Sequence, residues 1–178
     1  MKKSVHSHVL ARAALAAASC LALSSAQAHV TLEYQVAPAG SNYKAAFKVG
    51  HGCGASATRE FAVTIPEGVR GAKPMVKPGW SVDVQRKPAA QDVVRITWRA
   101  KTPQDALPSA YYDEFVLVAQ MPRQAGPLYW PVSQVCEDGR LDWAEIPRPG
   151  QNAHDLKSPA VSLEILPAGD AAGAGHSH

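Results

Sequence analysis

The chain has 178 residues and a formal net charge of +3 at pH 7, a length that suits one domain with a sizeable core. Three basic residues and no acidic residue lie within the first 28 positions. The remaining chain therefore has a net charge of about zero, and no basic patch supports binding to nucleic acid.

The first predicted element, residues 1–28, is a secretory signal peptide. Lys2, Lys3 and Arg12 precede the apolar run ALAAASCLAL, and Ala26 and Ala28 form an A-x-A cleavage site. The apolar run is shorter than the roughly 20 residues that a transmembrane helix needs. We therefore expect export to the periplasm, cleavage after Ala28 and a mature chain that does not span the membrane.

Strand patterns dominate the mature chain. Alternating segments come first, and EFVLVAQMP is a continuous apolar run typical of a strand that is buried on both faces. LYWPVSQVC and RLDWAEI flank EDG, a hairpin turn signal. Helical periodicity is absent, so roughly seven to nine short strands predict an all-β, antiparallel β-sandwich. Trp98 is expected in its core and Trp80 as a cap at its edge. The alternating segments are HVTLEYQV, NYKAAFKV, TREFAVTIP, SVDVQRK and VVRITWRA.

The β-sandwich is predicted to occupy residues 29–147. Residues 148–167 have the composition of a linker and include AVSLEILP, which could add a strand at the domain edge. Residues 168–178 are rich in Gly and Ala and offer little apolar surface to bury, so this tail is predicted to be disordered. Its His176 and His178 could collect a metal ion, and a plain solvated end is the alternative.

Two cysteines remain after removal of the signal peptide, Cys53 and Cys136. A pair of cysteines in an exported protein favours a disulfide. Closing a loop of about 80 residues would stabilise the fold by about 4 to 5 kcal/mol in the loop-entropy description. The alternative is a pair of thiolate metal ligands, for which the spacing is not C-x-x-C.

Cleavage would make His29 the first residue of the mature chain. Its α-amine and ring Nδ1 could then bind one metal ion together. The amine titrates near 7.7 to 8, so a metal can displace its proton at neutral pH. A tetragonal set of nitrogen ligands favours Cu(II). The alternative is that the chain begins with His by chance.

Several segments together resemble a known family, the YcnI-like copper-binding domains of exported bacterial proteins. The segments are AHVTLE, FAVTIPEGV followed by KPGW, VVRITWRA, YYDEFVLVAQMP and LYWPVSQVCEDGRLDW, and the resemblance covers about residues 29–146. It implies a β-sandwich of cupredoxin-like or immunoglobulin-like type. It also implies that the amine and Nδ1 of the first mature residue, here His29, hold Cu(II).

The resemblance implies two further site residues. The family has a Trp at the metal, which corresponds to Trp143 here, although a lone Trp in a sandwich commonly belongs to the core. The family also has an acidic ligand after the second strand, where this chain reads VGHGC. His51 is the nearest candidate, because imidazole is a good Cu(II) ligand. The alternative is a turn residue between glycines.

The function implied by these residues is that of a periplasmic Cu(II) chaperone or buffer, which is not an enzyme. Its partners would be the copper ion and a membrane copper transporter or another periplasmic copper chaperone. One alternative is a copper oxygenase that cleaves polysaccharide with His29 and His51 as its ligands. Another is a metal-free sandwich that serves in adhesion or assembly.

Overall fold

The computed structural model describes residues 29–88 and 90–168. The predicted signal peptide and the tail with His176 and His178 lie outside the described residues. No helix in the described part has the length and apolar character of a membrane span. Short 3-10 helices occur at Pro103–Asp105 and Ala153–Asp155. The described strands are β1 Thr31–Leu32, β2 Val36–Pro38, β3 Asn42–Val49, β4 Thr58–Thr64, β5 Arg70–Pro74, β6 Trp80–Arg86, β7 Val93–Ala100, β8 Asp113–Gln120, β9 Gly126–Trp130, β10 Val132–Cys136, β11 Arg140–Trp143 and β12 Val161–Leu166.

The strands form a β-sandwich, which confirms the predicted fold class. One sheet has the order β1-β3-β8-β5, the second β11-β10-β4-β7-β6, and a smaller third sheet β2-β12-β9. Phe61 of β4 stacks on Phe115 of β8 across the two larger sheets, with ring centroids 4.3 Å apart. Because each ring is fully buried, this aromatic stack marks the centre of the core.

Two segments that the pattern predicts as single strands are each divided between sheets. HVTLEYQV provides β1 to the four-stranded sheet and ends at Val36, the first residue of β2 in the three-stranded sheet. LYWPVSQVC divides at Pro131 into β9 and β10. Proline has no N–H for a sheet ladder, while the Pro131 carbonyl still accepts a hydrogen bond from the Thr64 N–H at 2.9 Å. The division carries the chain from the third sheet into the five-stranded one.

The end of the predicted linker contains a central strand. β12 lies between β2, to which it is parallel, and β9, to which it is antiparallel. Its alternate residues Val161, Leu163 and Ile165 are buried. The strand therefore extends the core beyond residue 147 instead of adding an edge, because both of its sides find a partner.

The tryptophans fill the core more completely than the sequence predicts. Trp98 is fully buried, as expected. Trp80 is also buried and meets Phe115 edge to face, with centroids 5.1 Å apart. It belongs to the core instead of capping the edge. The preceding Gly79 has a φ of +75°, a conformation suited to glycine, and this turn directs the indole inward.

Candidate metal site

His29 lies two residues before the start of β1 and is exposed to solvent. Its imidazole meets the indole of Trp143 edge to face, with ring centroids 5.2 Å apart and planes at 89°. Trp143 is the last residue of β11 and is 2% exposed. β1 and β11 are the terminal strands of the two larger sheets. The contact therefore joins the two sheets along one open side of the sandwich.

The indole nitrogen of Trp143 has no hydrogen-bond partner. Within residues 29–88 and 90–168, it and the indole nitrogen of Trp130 are the buried side-chain polar atoms that lack one. An unpaired buried donor costs about 1 to 3 kcal/mol. An indole N–H donates only and offers no lone pair to a cation. At a metal site, Trp143 would therefore act through its ring and by donating to a metal-bound oxygen.

His51 lies in the loop after β3 and is half-buried. Its Nδ1 is 2.5 Å from the carbonyl oxygen of Gly52. A carbonyl only accepts, so Nδ1 carries the proton in this contact. The neutral ring then has its lone pair on Nε2, which is the nitrogen that would bind a metal.

Strand register relates His29 to the His51 loop. β1 pairs with β3 so that Thr31 lies opposite Lys48. Extending the same register by two residues would place His29 opposite Gly50, the neighbour of His51 in the backbone. The fold thus brings His29 into contact with Trp143, and the β1–β3 pairing directs the His51 loop towards the start of β1.

A disulfide joins Cys53 to Cys136, with Cα atoms 5.9 Å apart. This confirms the predicted pairing, and the paired sulfurs supply no thiolate ligands. Cys53 is two residues after His51, and Cys136 ends β10. β10 pairs with β11 through the Val132–Trp143 register. The disulfide therefore ties the His51 loop to the hairpin that carries Trp143, although it lies at the turn end of that hairpin.

The carboxylates of Glu33, which follows β1, and Glu114, in β8, have other partners. Glu33 lies 3.9 Å from the Lys48 ammonium. Glu114 accepts a hydrogen bond from the Tyr112 hydroxyl at 2.5 Å, and this bond raises the pKa of Tyr112 to about 12. The described residues contain no group of three or more His, Cys, Asp or Glu placed to hold a metal. The predicted site needs only two such residues, because His29 would supply two nitrogens.

Gln134 is a site residue that sequence reasoning does not identify. Its side chain is buried, and its Nε2 donates to the His51 carbonyl at 2.7 Å. The signal in the sequence is a polar residue at an inward-facing position of β10, between Val132 and Cys136. The residue that it holds is 83 positions away in the chain, so the pattern alone does not reveal the contact.

A cavity of about 320 Å³ adjoins His29. Its wall includes Gln35 from the β1–β2 turn, Tyr129 from β9, and Val161 and Ser162 from β12. The three-stranded sheet therefore borders this cavity. His29 remains accessible to a small ligand or to a docking protein.

Comparisons with known proteins give a family and a fold. The profile of a family described as a domain of unknown function, DUF1775, matches residues 29–165. Among curated proteins, none matches the chain. A crystal structure of an uncharacterized protein from Nocardia farcinica, described as revealing an immunoglobulin-like fold, superposes with a TM-score of 0.66 at 26% identity. The match covers 77% of this chain and 97% of that chain.

Proposed function

The chain belongs to the DUF1775 family of domains of unknown function, and on that premise we propose that it is an exported, YcnI-like copper-binding protein. It would bind Cu(II) as cargo and act as a chaperone or buffer, not as an enzyme. The observation that carries the proposal is the contact between the exposed His29 and the buried Trp143. A terminal histidine whose ring packs against the core is a suitable metal chelator. Because the side chain is already oriented, metal binding costs less conformational entropy.

The proposed ligand set has three nitrogens. Two are the α-amine and Nδ1 of His29, once cleavage has freed the amine. The third is Nε2 of His51, the nitrogen that has the lone pair while Nδ1 faces the Gly52 carbonyl. The set suits Cu(II), which prefers tetragonal nitrogen and oxygen ligands. The unpaired indole N–H of Trp143 would donate to a water or hydroxide on the ion.

Replacing the family's carboxylate by His51 changes the charge of the site. A neutral imidazole leaves both positive charges of Cu(II) on the protein, whereas a carboxylate would neutralise one of them. Glu33 and Glu114 already pair with Lys48 and Tyr112. A site of this kind suits transfer of copper to a partner that offers anionic ligands, such as a membrane copper transporter or another periplasmic chaperone.

Export to the periplasm is part of the proposal. Its supports are the predicted signal peptide and the Cys53–Cys136 disulfide, since disulfides persist in oxidising compartments. The site is formed only after cleavage, because an amide nitrogen at His29 would not chelate at neutral pH. Copper binding would then be confined to the compartment in which the mature chain exists.

The test uses protein purified after export, with His29 confirmed as the first residue by mass. Cu(II) titration should give one tight site, and the EPR spectrum should be that of tetragonal copper with nitrogen ligands. His29→Ala should abolish the site, whereas the matched variant His154→Ala should retain it. A flat titration of the native protein would leave the metal-free adhesion or assembly module. Release of oxidised sugars from cellulose or chitin with peroxide would replace the proposal by the oxygenase.

A further inference from the structure

Gln134 is a buried polar residue in an otherwise apolar face of β10. It is 1% exposed, and its Nε2 donates to two acceptors, the His51 carbonyl at 2.7 Å and the Thr58 hydroxyl at 2.7 Å. Both amide hydrogens are therefore used. Burial of an amide is unfavourable unless it is hydrogen-bonded, so the position requires these partners, and the bond to His51 is a fixed element of the fold.

Beyond its own backbone hydrogen bonds between Cys53 and Ser56, the loop that carries His51 depends on contacts with other parts of the chain. Gly50 and Gly52 flank His51, and glycine leaves the backbone its greatest freedom. External groups supply the restraint. Ser109 accepts a hydrogen bond from the Gly52 N–H at 3.1 Å, and the disulfide fixes Cys53. Gln134 acts on the backbone of His51 itself, whereas the Gly52 carbonyl contacts the ring Nδ1.

The same strand also fixes Trp143. Val132, two residues before Gln134 on the same face of β10, pairs with Trp143 of β11. Trp143 in turn contacts His29. Strand β10 therefore contacts both parts of the candidate site. Gln134 binds the backbone of the His51 loop, and Val132 pairs with Trp143 in the neighbouring strand.

We propose that Gln134 is a positioning residue of the copper site, holding the His51 backbone where its Nε2 completes the ligand set of an ion bound by His29. This inference rests on the proposed function. Hydrogen bonds that orient metal ligands commonly change metal affinity 10- to 100-fold. Gln134 differs from the usual case because it holds the ligand's backbone carbonyl instead of its ring.

The test compares Gln134→Leu with Thr58→Val. Gln134→Leu removes the donor of both hydrogen bonds and keeps a similar side-chain volume. Thr58→Val removes only the hydroxyl acceptor, which is not part of the proposed copper site. Circular dichroism and the mass of the intact disulfide check the fold. Gln134→Leu should weaken Cu(II) binding about 10-fold and remove one imidazole nitrogen from the pulsed EPR spectrum. Thr58→Val should keep the native affinity and spectrum. If Gln134→Leu does not fold, Gln134→Met takes its place.

A double-mutant cycle with His51→Ala separates positioning from general loss of structure. If Gln134 acts through His51, then Gln134→Leu should have no further effect on affinity in the His51→Ala background. Equal losses in both backgrounds, or a native spectrum for Gln134→Leu, would overturn the inference and leave the proposed function standing. Failure of native protein to bind Cu(II), or binding that His29→Ala does not change, would overturn the proposed function itself.

Discussion

The imidazole of His29 stands edge-on to the indole of Trp143, with ring centroids 5.2 Å apart. One ring belongs to an exposed residue at the start of the domain, and the other is buried at the end of β11. β11 is held in turn by β10, which ends at the disulfide. The residue that would begin the mature chain is therefore packed against a buried residue of the five-stranded sheet.

Trp143→Phe tests the contribution of the indole. We expect an altered Cu(II) EPR spectrum, because the variant keeps an aromatic ring but loses the N–H that would donate to a metal-bound oxygen. The free energy of unfolding should fall by about 1 kcal/mol, since the smaller ring leaves space while an unpaired donor is removed.

Trp130→Phe is the matched control for Trp143→Phe. Its indole N–H is also buried without a partner, but its ring packs on Phe47, with centroids 5.8 Å apart. The control should lose similar stability and keep the native copper spectrum. Identical spectra for native protein and Trp143→Phe would show that this indole is only a core aromatic.

A single extra residue before His29 should lower Cu(II) affinity by orders of magnitude while the fold persists. The extension turns the α-amine into an amide, whose nitrogen does not give up its proton readily at neutral pH. Affinity is measured by competition with a chelator, and circular dichroism checks the fold. An extension of equal length after His178 is the control. Unchanged affinity in the extended protein would exclude the amine as a ligand.

The disulfide should be fully formed and strongly stabilising. Alkylation of unreduced protein should label neither Cys53 nor Cys136, as expected for a closed bond. The double variant Cys53→Ser/Cys136→Ser should lose about 4 to 5 kcal/mol in the loop-entropy description, measured by urea unfolding. Two reactive thiols in freshly exported protein would contradict the pairing.

The sequence predicts the class of the fold because alternation and turn residues are local signals. β3, β4, β6 and β7 each coincide with an alternating segment. The disulfide follows from the count of cysteines in a chain that is predicted to be exported. The resemblance indicates Trp143, and its contact with His29 is a tertiary relationship between residues that lie far apart in the sequence.

Other features depend on contacts that no local pattern contains. β5, with the sequence RGAKP, has no alternation, and its pairing with β8 is interrupted between Arg70 and Lys73. β12 is a central strand only because the chain divides at Pro131 and provides β9 as a partner. Gln134 gains its role from a loop that lies far away in the sequence. Sheet order and buried polar contacts are therefore the parts that required the structure.

Tyr43 should make stability depend on pH in alkaline solution. Burial raises its pKa from 10.0 to about 12, so the folded state holds the phenolic proton more tightly than the unfolded chain. The contribution is complete below pH 10 and is lost as the pH rises towards 12. Urea unfolding between pH 9 and 11.5 should show a falling free energy of unfolding for native protein and a flatter profile for Tyr43→Phe.

Tyr112→Phe is the control for the alkaline profile. The pKa of Tyr112 is also raised to about 12, first by its hydrogen bond to Glu114, but the side chain is 58% exposed. Solvent screens such a contact, so the native slope should largely remain in this variant. A Tyr43→Phe profile as steep as the native one would show that another group controls alkaline unfolding.

The His51 variants test the position at which this chain departs from the family that it resembles. His51→Ala should remove one imidazole nitrogen from the Cu(II) spectrum and weaken binding, while the His29 chelate remains. His51→Glu should recover much of the affinity with an oxygen in place of that nitrogen. Both side chains start from the same loop, which Gln134 and the disulfide hold, and the carboxylate adds a negative charge that offsets the ion. If the spectra of native protein and His51→Ala coincide, His51 is a turn residue, and the ion is held by His29 and water beside Trp143.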